Sequence, residues 1–472
     1  MINWHQLQYL NPQKIRQLQD KLLRNFMRNQ IPYNPFYHNL FKKKKIKFSD
    51  IKTTEDLKKL SFTTKEDIVA TKKEPKKFLD FVLQPNKDLI KKHSNLNKKI
   101  KIIFNKGHLH YEYKPVHIHF TTGRSANSVP IFYTGYDLKN LEESGKRMVD
   151  ILNISGNDVV VNAFPYAPHL AFWQTFYAAK GANLLCLHTG GGKILGTEKI
   201  IKSIEGMKAT CLAGMPGYLY HLIRTAKEQK NNFSSLNLIV FGGERVPIGL
   251  REKIKENISR ARVLSTYALT ESKCAWLECK EESGYHLYPD FEFIEIVDKN
   301  GERVNEGEKG EIVYTSLDWR GSVFLRYKTG DITNGIYYEK CPNCKRTLPR
   351  IDGAIERSSE YKEFKLAKIK GSFVNLNAFF PIMMSHKDIE EWQVEIRKKN
   401  NDPYEIDELI VYAAVKKNVN FEKLKKDLKD KIITETEVAP EIVKAELKEL
   451  LQRLGMETEM KEKRVVDSRE KI

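Results

Sequence analysis

The sequence is short of three things. It has no apolar run near the ~18 residues that a membrane-crossing helix needs, and runs such as Val159–Val161 and Leu238–Phe241 are only the length of a buried strand. It has no apolar leader, because Met1–Leu10 carries Trp4, His5 and two glutamines, so no secretory signal is expected. It has only six cysteines in 472 residues, too few for a disulfide scaffold. Together these point to a soluble chain in a reducing, cytoplasmic compartment, where paired cysteines more often hold metal than form disulfides. Repeats of solenoid length are also missing, and low complexity is confined to short lysine runs.

What is present suits a folded protein of more than one domain. Hydrophobic residues make up 41% and charged residues 30%, which argues against wholesale disorder. A chain of 472 residues exceeds what one growing core usually holds. The 80 basic and 61 acidic residues leave a formal charge of +19, with lysines gathered at Lys42–Lys45 and Lys98–Lys101. No zinc-finger, RRM or KH pattern accompanies that charge. A solvated lysine-rich surface is therefore the preferred reading, and nucleic acid is not an expected partner.

Between about Ile118 and Val313, short β-rich runs alternate with helical patterns. Val159–Phe164, Asn183–Leu187, Leu238–Phe241 and Val263–Tyr267 read as strands. Leu138–Leu152, Thr197–Glu205 and Tyr218–Lys230 read as helices between them. The alternation predicts an α/β sheet. From Phe291 the pattern becomes strand–turn–strand, which predicts a β-rich subdomain. Beyond Ile355 a strand (Leu409–Ala414) and helices (Phe421–Ile433 and Pro440–Leu451) predict a small α+β domain. The expected division is residues 1–355 and 356–472.

Three segments carry chemistry. Thr121-Thr122-Gly123-Arg124-Ser125 follows the strand-like Val116–Phe120. A loop of hydroxyls and small residues exposes backbone N–H groups that can wrap phosphate oxygens, although the lysine ending of a Walker A loop is absent. Tyr267-Ala268-Leu269-Thr270-Glu271 follows a strand. Thr270 would donate to a phosphate and Glu271 would hold Mg²⁺, since hard cations prefer carboxylates. A helix start capped by Thr270 is the structural alternative. In Arg326-Tyr327-Lys328-Thr329-Gly330-Asp331 a turn presents a carboxylate that could accept both hydroxyls of a ribose.

In this order the segments resemble the adenylate-forming superfamily, and specifically its phenylacetate–CoA ligase-like members. The resemblance covers most of the chain. It begins at Leu60-Ser61-Phe62-Thr63-Thr64-Lys65-Glu66-Asp67 and runs through the loop at 121–130, Gly190–Lys202, Phe241–Pro247, the segment at 267–271 and Gly307–Asp331. It implies a large N-terminal domain of α/β sheets plus a β-rich subdomain, hinged to a small mobile C-terminal lid, with ATP between them. Thr121, Thr122, Gly123 and Ser125 would embrace the phosphates, while Tyr267, Gly243 and Glu244 would flank adenine. Thr270 would contact the α-phosphate, Glu271 would hold Mg²⁺, and Asp331 with Arg357 would reach ribose. Lys461, three residues before Arg464-Val465-Val466-Asp467, matches the lysine that bridges carboxylate and α-phosphate, with Lys463 as its competitor. The implied activity is conversion of an aryl or fatty acid to acyl-AMP, followed by thioester formation with coenzyme A. Transfer to a carrier protein or another cofactor, or a degenerate ATP-binding scaffold, are the alternatives. Asn127 stands where the family loop has lysine, Ala268 replaces a glycine, and the hinge reads Glu356-Arg357-Ser358-Ser359-Glu360.

Cys279 and His286 form a C-x6-H pair, and Cys341-Pro342-Asn343-Cys344 is a CxxC knuckle. Four soft or borderline ligands suit a tetrahedral Zn²⁺ with no open position, hence a structural site. A redox-active CxxC is the alternative. Asn162–Trp173 falls where similar enzymes build the acyl pocket, with His169 either orienting a carboxylate or facing a backbone carbonyl.

Overall fold

The computed structural model describes residues 3–94, 99–100, 106–121, 128–244, 246, 248–357, 366–369, 372–376, 379–401, 407–436, 438–456 and 462–469. The backbone divides into two compact units. One comprises Met1–Asn162, Ala167–Leu187 and Leu264–Glu356; the other comprises Ala163–Tyr166, His188–Val263 and Arg357–Ile472. No described helix is long and apolar enough to cross a membrane.

In the first unit the helix Gly135–Leu152 starts on a capping box, in which Thr134 and Asp137 satisfy each other's backbone N–H. It ends at Asn153, which turns left-handed at φ 54°. Leu141, Met148, Ile151 and Leu152 form its buried stripe. Gly145 lets it approach the helix Leu170–Gly181, since a Cβ there would lie 2.5 Å from the Ala178 Cα. The hairpin strands Pro115–Phe120 and Pro130–Thr134 pair antiparallel, with Phe120 opposite Pro130.

The expected β-rich part is an antiparallel meander of Glu292–Val297, Gly310–Ser316 and Tyr327–Thr333. Nearby, Tyr285–His286 pairs with Arg350–Ile351 on one side and meets Leu277 on the other.

In the second unit Cys211–Gly214 and Leu238–Phe241 run parallel, with the helix Pro216–Glu228 between them in sequence. All eight strand residues are buried, as a strand covered on both faces requires. Toward the C-terminus a four-stranded sheet has the order Glu441–Lys444, Asp407–Val415, Ile389–Lys398, Val465–Asp467. Its core gathers Trp392, Val394, Ile396, Val411, Leu428 and Ile432. The mixed α/β class is thus the one expected. One local expectation fails: Pro440–Leu451 is not a continuous helix. Glu441–Lys444 is a strand parallel to Ile410–Ala413, and the helix runs only from Leu447 to Leu454. Adjacent β-branched Ile442 and Val443 favour the extended form once a sheet edge is there to pair with.

Candidate active site and metal cluster

Thr270 and Glu271 sit in a β-hairpin turn, so the alternative of a helix start is overturned. Thr266 to Leu269 pair antiparallel with Leu277 to Cys274, leaving Thr270-Glu271-Ser272-Lys273 as the loop. The loop is closed by Lys273 N–H to Thr270 O (3.2 Å) and Ser272 Oγ to Leu269 O (2.9 Å). Lys273 takes the left-handed φ of 61° and sends its ammonium into the interior. There it meets Asp137 at 2.8 Å, both side chains being fully buried. Burial lowers the Lys273 pKa, and Asp137 opposes that shift. Asp137 also accepts from the backbone of Thr134, Arg320 and Gly321 at 3.0, 2.7 and 2.6 Å. The hairpin turn is therefore pinned from beneath by a carboxylate in the first turn of the helix Gly135–Leu152.

Glu271 and Asp331 are brought together by crossed bonds. Tyr267, which precedes the turn, donates its hydroxyl to Asp331 Oδ2 at 2.7 Å. Tyr327, which opens the strand carrying Asp331, donates to Glu271 Oε1 at 2.8 Å. Each motif thus supplies the tyrosine that orients the other's carboxylate. Asp331 projects from a bulge: Val313 pairs with Lys328 but Glu311 pairs with Ile332, so the second strand carries two extra residues. Gly330 adopts φ 73° there, and Thr329 Oγ1 accepts the Asp331 N–H at 3.1 Å. Asp331 and Tyr267 are legible in their sequence motifs, whereas the roles of Tyr327 and of the Lys273–Asp137 pair emerge only from the fold.

Other candidates are placed unevenly. Thr121 closes the base of its loop through two bonds with Val129, each 3.0 Å. Thr122, Gly123, Ser125 and Lys461 lie outside the described residues, as do Arg124 and Asn127. Arg357 has only its backbone described, in the short strand Glu356–Arg357. In the second unit Gly243 turns at φ 82°, and a Cβ there would meet the Met215 sulfur at 2.7 Å. Its neighbour Glu244 lines a cleft with Tyr220, Lys253, Glu391 and Trp392.

His169 faces a backbone carbonyl, Phe120 O at 2.9 Å, one of its two expected arrangements. Beside it His117 and His119, two residues not singled out in the sequence, share a 2.8 Å contact between Nε2 atoms and pack near Trp173 of the expected pocket segment. Burial pushes His119 down to about 3, with His117 and His169 adding to the effect, so it is neutral at physiological pH.

The two halves of the cysteine–histidine pattern converge. The ligand atoms of Cys279, His286, Cys341 and Cys344 all lie within 4.8 Å of one another. The Cys279–Cys341 sulfurs are 3.7 Å apart, and Cys344 Sγ is 3.4 Å from His286 Nε2. A tetrahedron with Zn–S near 2.3 Å and Zn–N near 2.05 Å has edges of about 3.8 and about 3.6 Å, so the donor set fits such an ion. All six cysteines are free thiols, which sets aside a disulfide in the CxxC knuckle. Hydrogen bonds from Cys279 and then Cys344 hold the Cys341 thiol well below the usual range, favouring the thiolate that binds metal.

Comparison with known proteins shows which enzymes the chain resembles. A family model described as AMP-binding enzyme matches residues 134–325. The phenylacetate-coenzyme A ligase of Thermus thermophilus is 24% identical over 361 residues, or 75% of this chain and 73% of that protein. The Escherichia coli K12 protein of the same name is 26% identical over 252 residues, or 52% of this chain and 56% of that one. By these matches the chain is similar to adenylate-forming enzymes. Among superfamily members its relatives are phenylacetate–CoA ligase-like. The adenylate-forming fold extends over nearly the whole chain. A crystal structure of 2-hydroxyisobutyryl-CoA ligase in the postadenylation state superposes with a TM-score of 0.75 at 19% identity, covering 98% of this chain and 91% of that one. Ala268, where the superfamily pattern has glycine, pairs with Ala275 and lies exposed, so its methyl group fits the hairpin without displacing a neighbour's backbone.

Proposed function

We propose that the chain uses ATP to activate a carboxylic acid and passes the acyl group to coenzyme A. The observation that carries this reading is the crossed pair Tyr327–Glu271 and Tyr267–Asp331, which fixes two carboxylates on adjacent segments before any ligand arrives. Pre-set groups of this kind are what a phosphoryl centre needs, since its catalysis is mostly positioning and charge compensation.

A carboxylate oxygen attacks the α-phosphorus of ATP, the bond to pyrophosphate breaks, and acyl-AMP forms. The coenzyme A thiol then attacks the acyl carbon and AMP leaves. Two anions meet in the first step, so oriented donors and cations have to offset their repulsion. Thr121, Thr122, Gly123 and Ser125 hold the phosphates, Tyr267, Gly243 and Glu244 flank adenine, and Asp331 with Arg357 takes ribose. Thr270 donates to the α-phosphate, and Lys461 bridges it to the incoming carboxylate. Glu271 is half-buried, and among the described residues its one hydrogen bond is to Tyr327. That leaves a carboxylate oxygen for Mg²⁺, which is usually held by one or two carboxylates plus substrate phosphates. The ion supplies charge neutralisation at those phosphates. Residues 1–355 act as the ATP- and acid-binding domain and 356–472 as a mobile lid. Cys279, His286, Cys341 and Cys344 hold a structural Zn²⁺. The substrate is an aryl or fatty acid, a reading supported by the aromatic patch at His117, His119 and Trp173.

Pyrophosphate release from ATP, measured across a panel of aryl and fatty acids with and without coenzyme A, tests the reading. Release with a subset of acids, faster with coenzyme A, is expected. Silence across the panel with ATP still bound would favour a scaffold. Asp331→Ala should weaken ATP binding about tenfold, as loss of a charge-assisted hydrogen bond does. Calorimetry giving unchanged affinity would remove Asp331 from the ribose site.

A further inference from the structure

We infer that Tyr327 is a positioning residue for the nucleotide-bound metal, acting through Glu271, and that the Thr63 segment exists to hold it there. The inference rests on the proposed role of Glu271 and extends it to residues that touch neither metal nor nucleotide.

The hydroxyl of Tyr327 reaches Glu271 across 56 residues of sequence, and the ring is only 3% exposed. Its backbone is gripped on both sides. Thr63 N–H donates to Arg326 O at 3.0 Å, and Lys328 N–H donates to Thr63 O at 2.9 Å, so Thr63 forms a parallel bridge with Tyr327 itself. The Thr63 hydroxyl donates to Leu325 O at 2.8 Å and shares a 2.9 Å bond with the Tyr37 hydroxyl. Tyr37 in turn accepts the Leu325 N–H at 2.7 Å. Burial raises the Tyr37 phenol pKa well above the usual tyrosine range, outweighing the lowering effect of its bonds with Thr63 and Leu325, so it stays a neutral bonding partner.

The residue before Tyr327 is equally constrained. Arg326 adopts φ 48°, and its guanidinium bonds Glu295 at 3.2 Å and Leu60 O at 3.0 Å while lying over the Phe62 ring. A non-glycine residue in that conformation persists when its surroundings over-determine it. Leu60-Ser61-Phe62-Thr63 therefore sets the position of the Tyr327 ring, and the ring sets one oxygen of Glu271. With Oε1 occupied by a hydroxyl, Glu271 presents its other oxygen to an incoming cation in one orientation rather than many. The carboxylate then loses less rotamer freedom when the metal arrives, which is how pre-organisation raises affinity.

The test is metal uptake rather than turnover. Mn²⁺ binding is followed by electron paramagnetic resonance with a non-hydrolysable ATP analogue, in wild type, Tyr327→Phe, Glu271→Gln and the double variant. Tyr327→Phe should weaken nucleotide-dependent Mn²⁺ binding about tenfold, the size expected for one charge-assisted hydrogen bond. Affinity for the analogue without metal should be unchanged. The double variant should bind no worse than Glu271→Gln alone, because Tyr327 acts only through that carboxylate. Additive losses, or wild-type Mn²⁺ affinity in Tyr327→Phe, would overturn the inference while leaving the proposed function intact. Wild-type protein that takes up no Mn²⁺ with the analogue would overturn the role of Glu271 and this inference with it. A 3-fluorotyrosine placed at Tyr327 gives a readout independent of the phenylalanine variant's folding. Its fluorine resonance should move when Mg²⁺ is added to the analogue complex, and a resonance that stays fixed would contradict the link.

Discussion

Asp137→Ala should lower stability by about 3–5 kcal/mol, the usual cost of removing one partner from a buried ion pair. Three losses coincide at this site. The Lys273 ammonium is left uncompensated in a fully buried position. The N–H groups of Arg320 and Gly321 lose the acceptor they share. The helix Gly135–Leu152 also loses its capping box. Trp276 and Trp319 lie in the same unit and are fully buried, so thermal unfolding followed by tryptophan fluorescence should show the shift. The deficit should shrink as pH rises. Lys273 already has a lowered pKa from burial, and without Asp137 it would fall further. Between that depressed value and the unfolded lysine value near 10.4, the unfolded chain binds more protons, so stability climbs with pH through the window. A variant as stable as wild type at neutral pH would mean that the pair does not pin the turn.

The second large effect is expected at the cysteine–histidine cluster. Purified protein should carry close to one zinc per chain by mass spectrometry of metals, and the Cys341→Ser, Cys344→Ser double variant should carry none. Structural zinc contributes on the order of 10 kcal/mol in small domains that cannot fold without it. The cost here should be smaller, because the surrounding sheet has its own core. His286 joins the cluster while paired to the strand Arg350–Ile351, and Cys341 N–H donates to Arg346 O at 2.8 Å, so the cluster ties two separate segments of the unit together. Loss of the ion should loosen that tie and lower the thermal midpoint, and strong chelators should do the same to wild type. Wild-type protein that is fully folded and free of metal would refute the site.

Much of this was legible in the sequence because the chemistry lies in contiguous motifs. A hydroxyl-rich loop, a Thr-Glu pair after a strand, a Gly-Asp turn and a CxxC knuckle each carry their residues within a few positions. The alternating pattern gave the α/β class for the same local reason. What stayed hidden depends on pairs far apart in the chain. Lys273 and Asp137 are separated by 136 positions, and either residue alone reads as an ordinary surface charge. Tyr327 lay inside a quoted motif, yet only the fold shows that its hydroxyl faces Glu271 rather than packing as a core aromatic. The four metal ligands were grouped by residue type, and their convergence required the pairing of Tyr285–His286 with its neighbours. The strand Glu441–Lys444 was missed because a four-residue run flanked by charges has no decisive periodicity, and a neighbouring strand decides its conformation.

Acid-dependent exchange of labelled pyrophosphate into ATP tests the central claim most directly. It reports reversible acyl-AMP formation without needing the acceptor thiol. Wild-type protein should catalyse exchange with at least one aryl or fatty acid and none without acid, and Glu271→Gln should slow it by at least tenfold, as loss of an oriented charged group does. No exchange with any acid, from protein shown to bind ATP, would contradict the account.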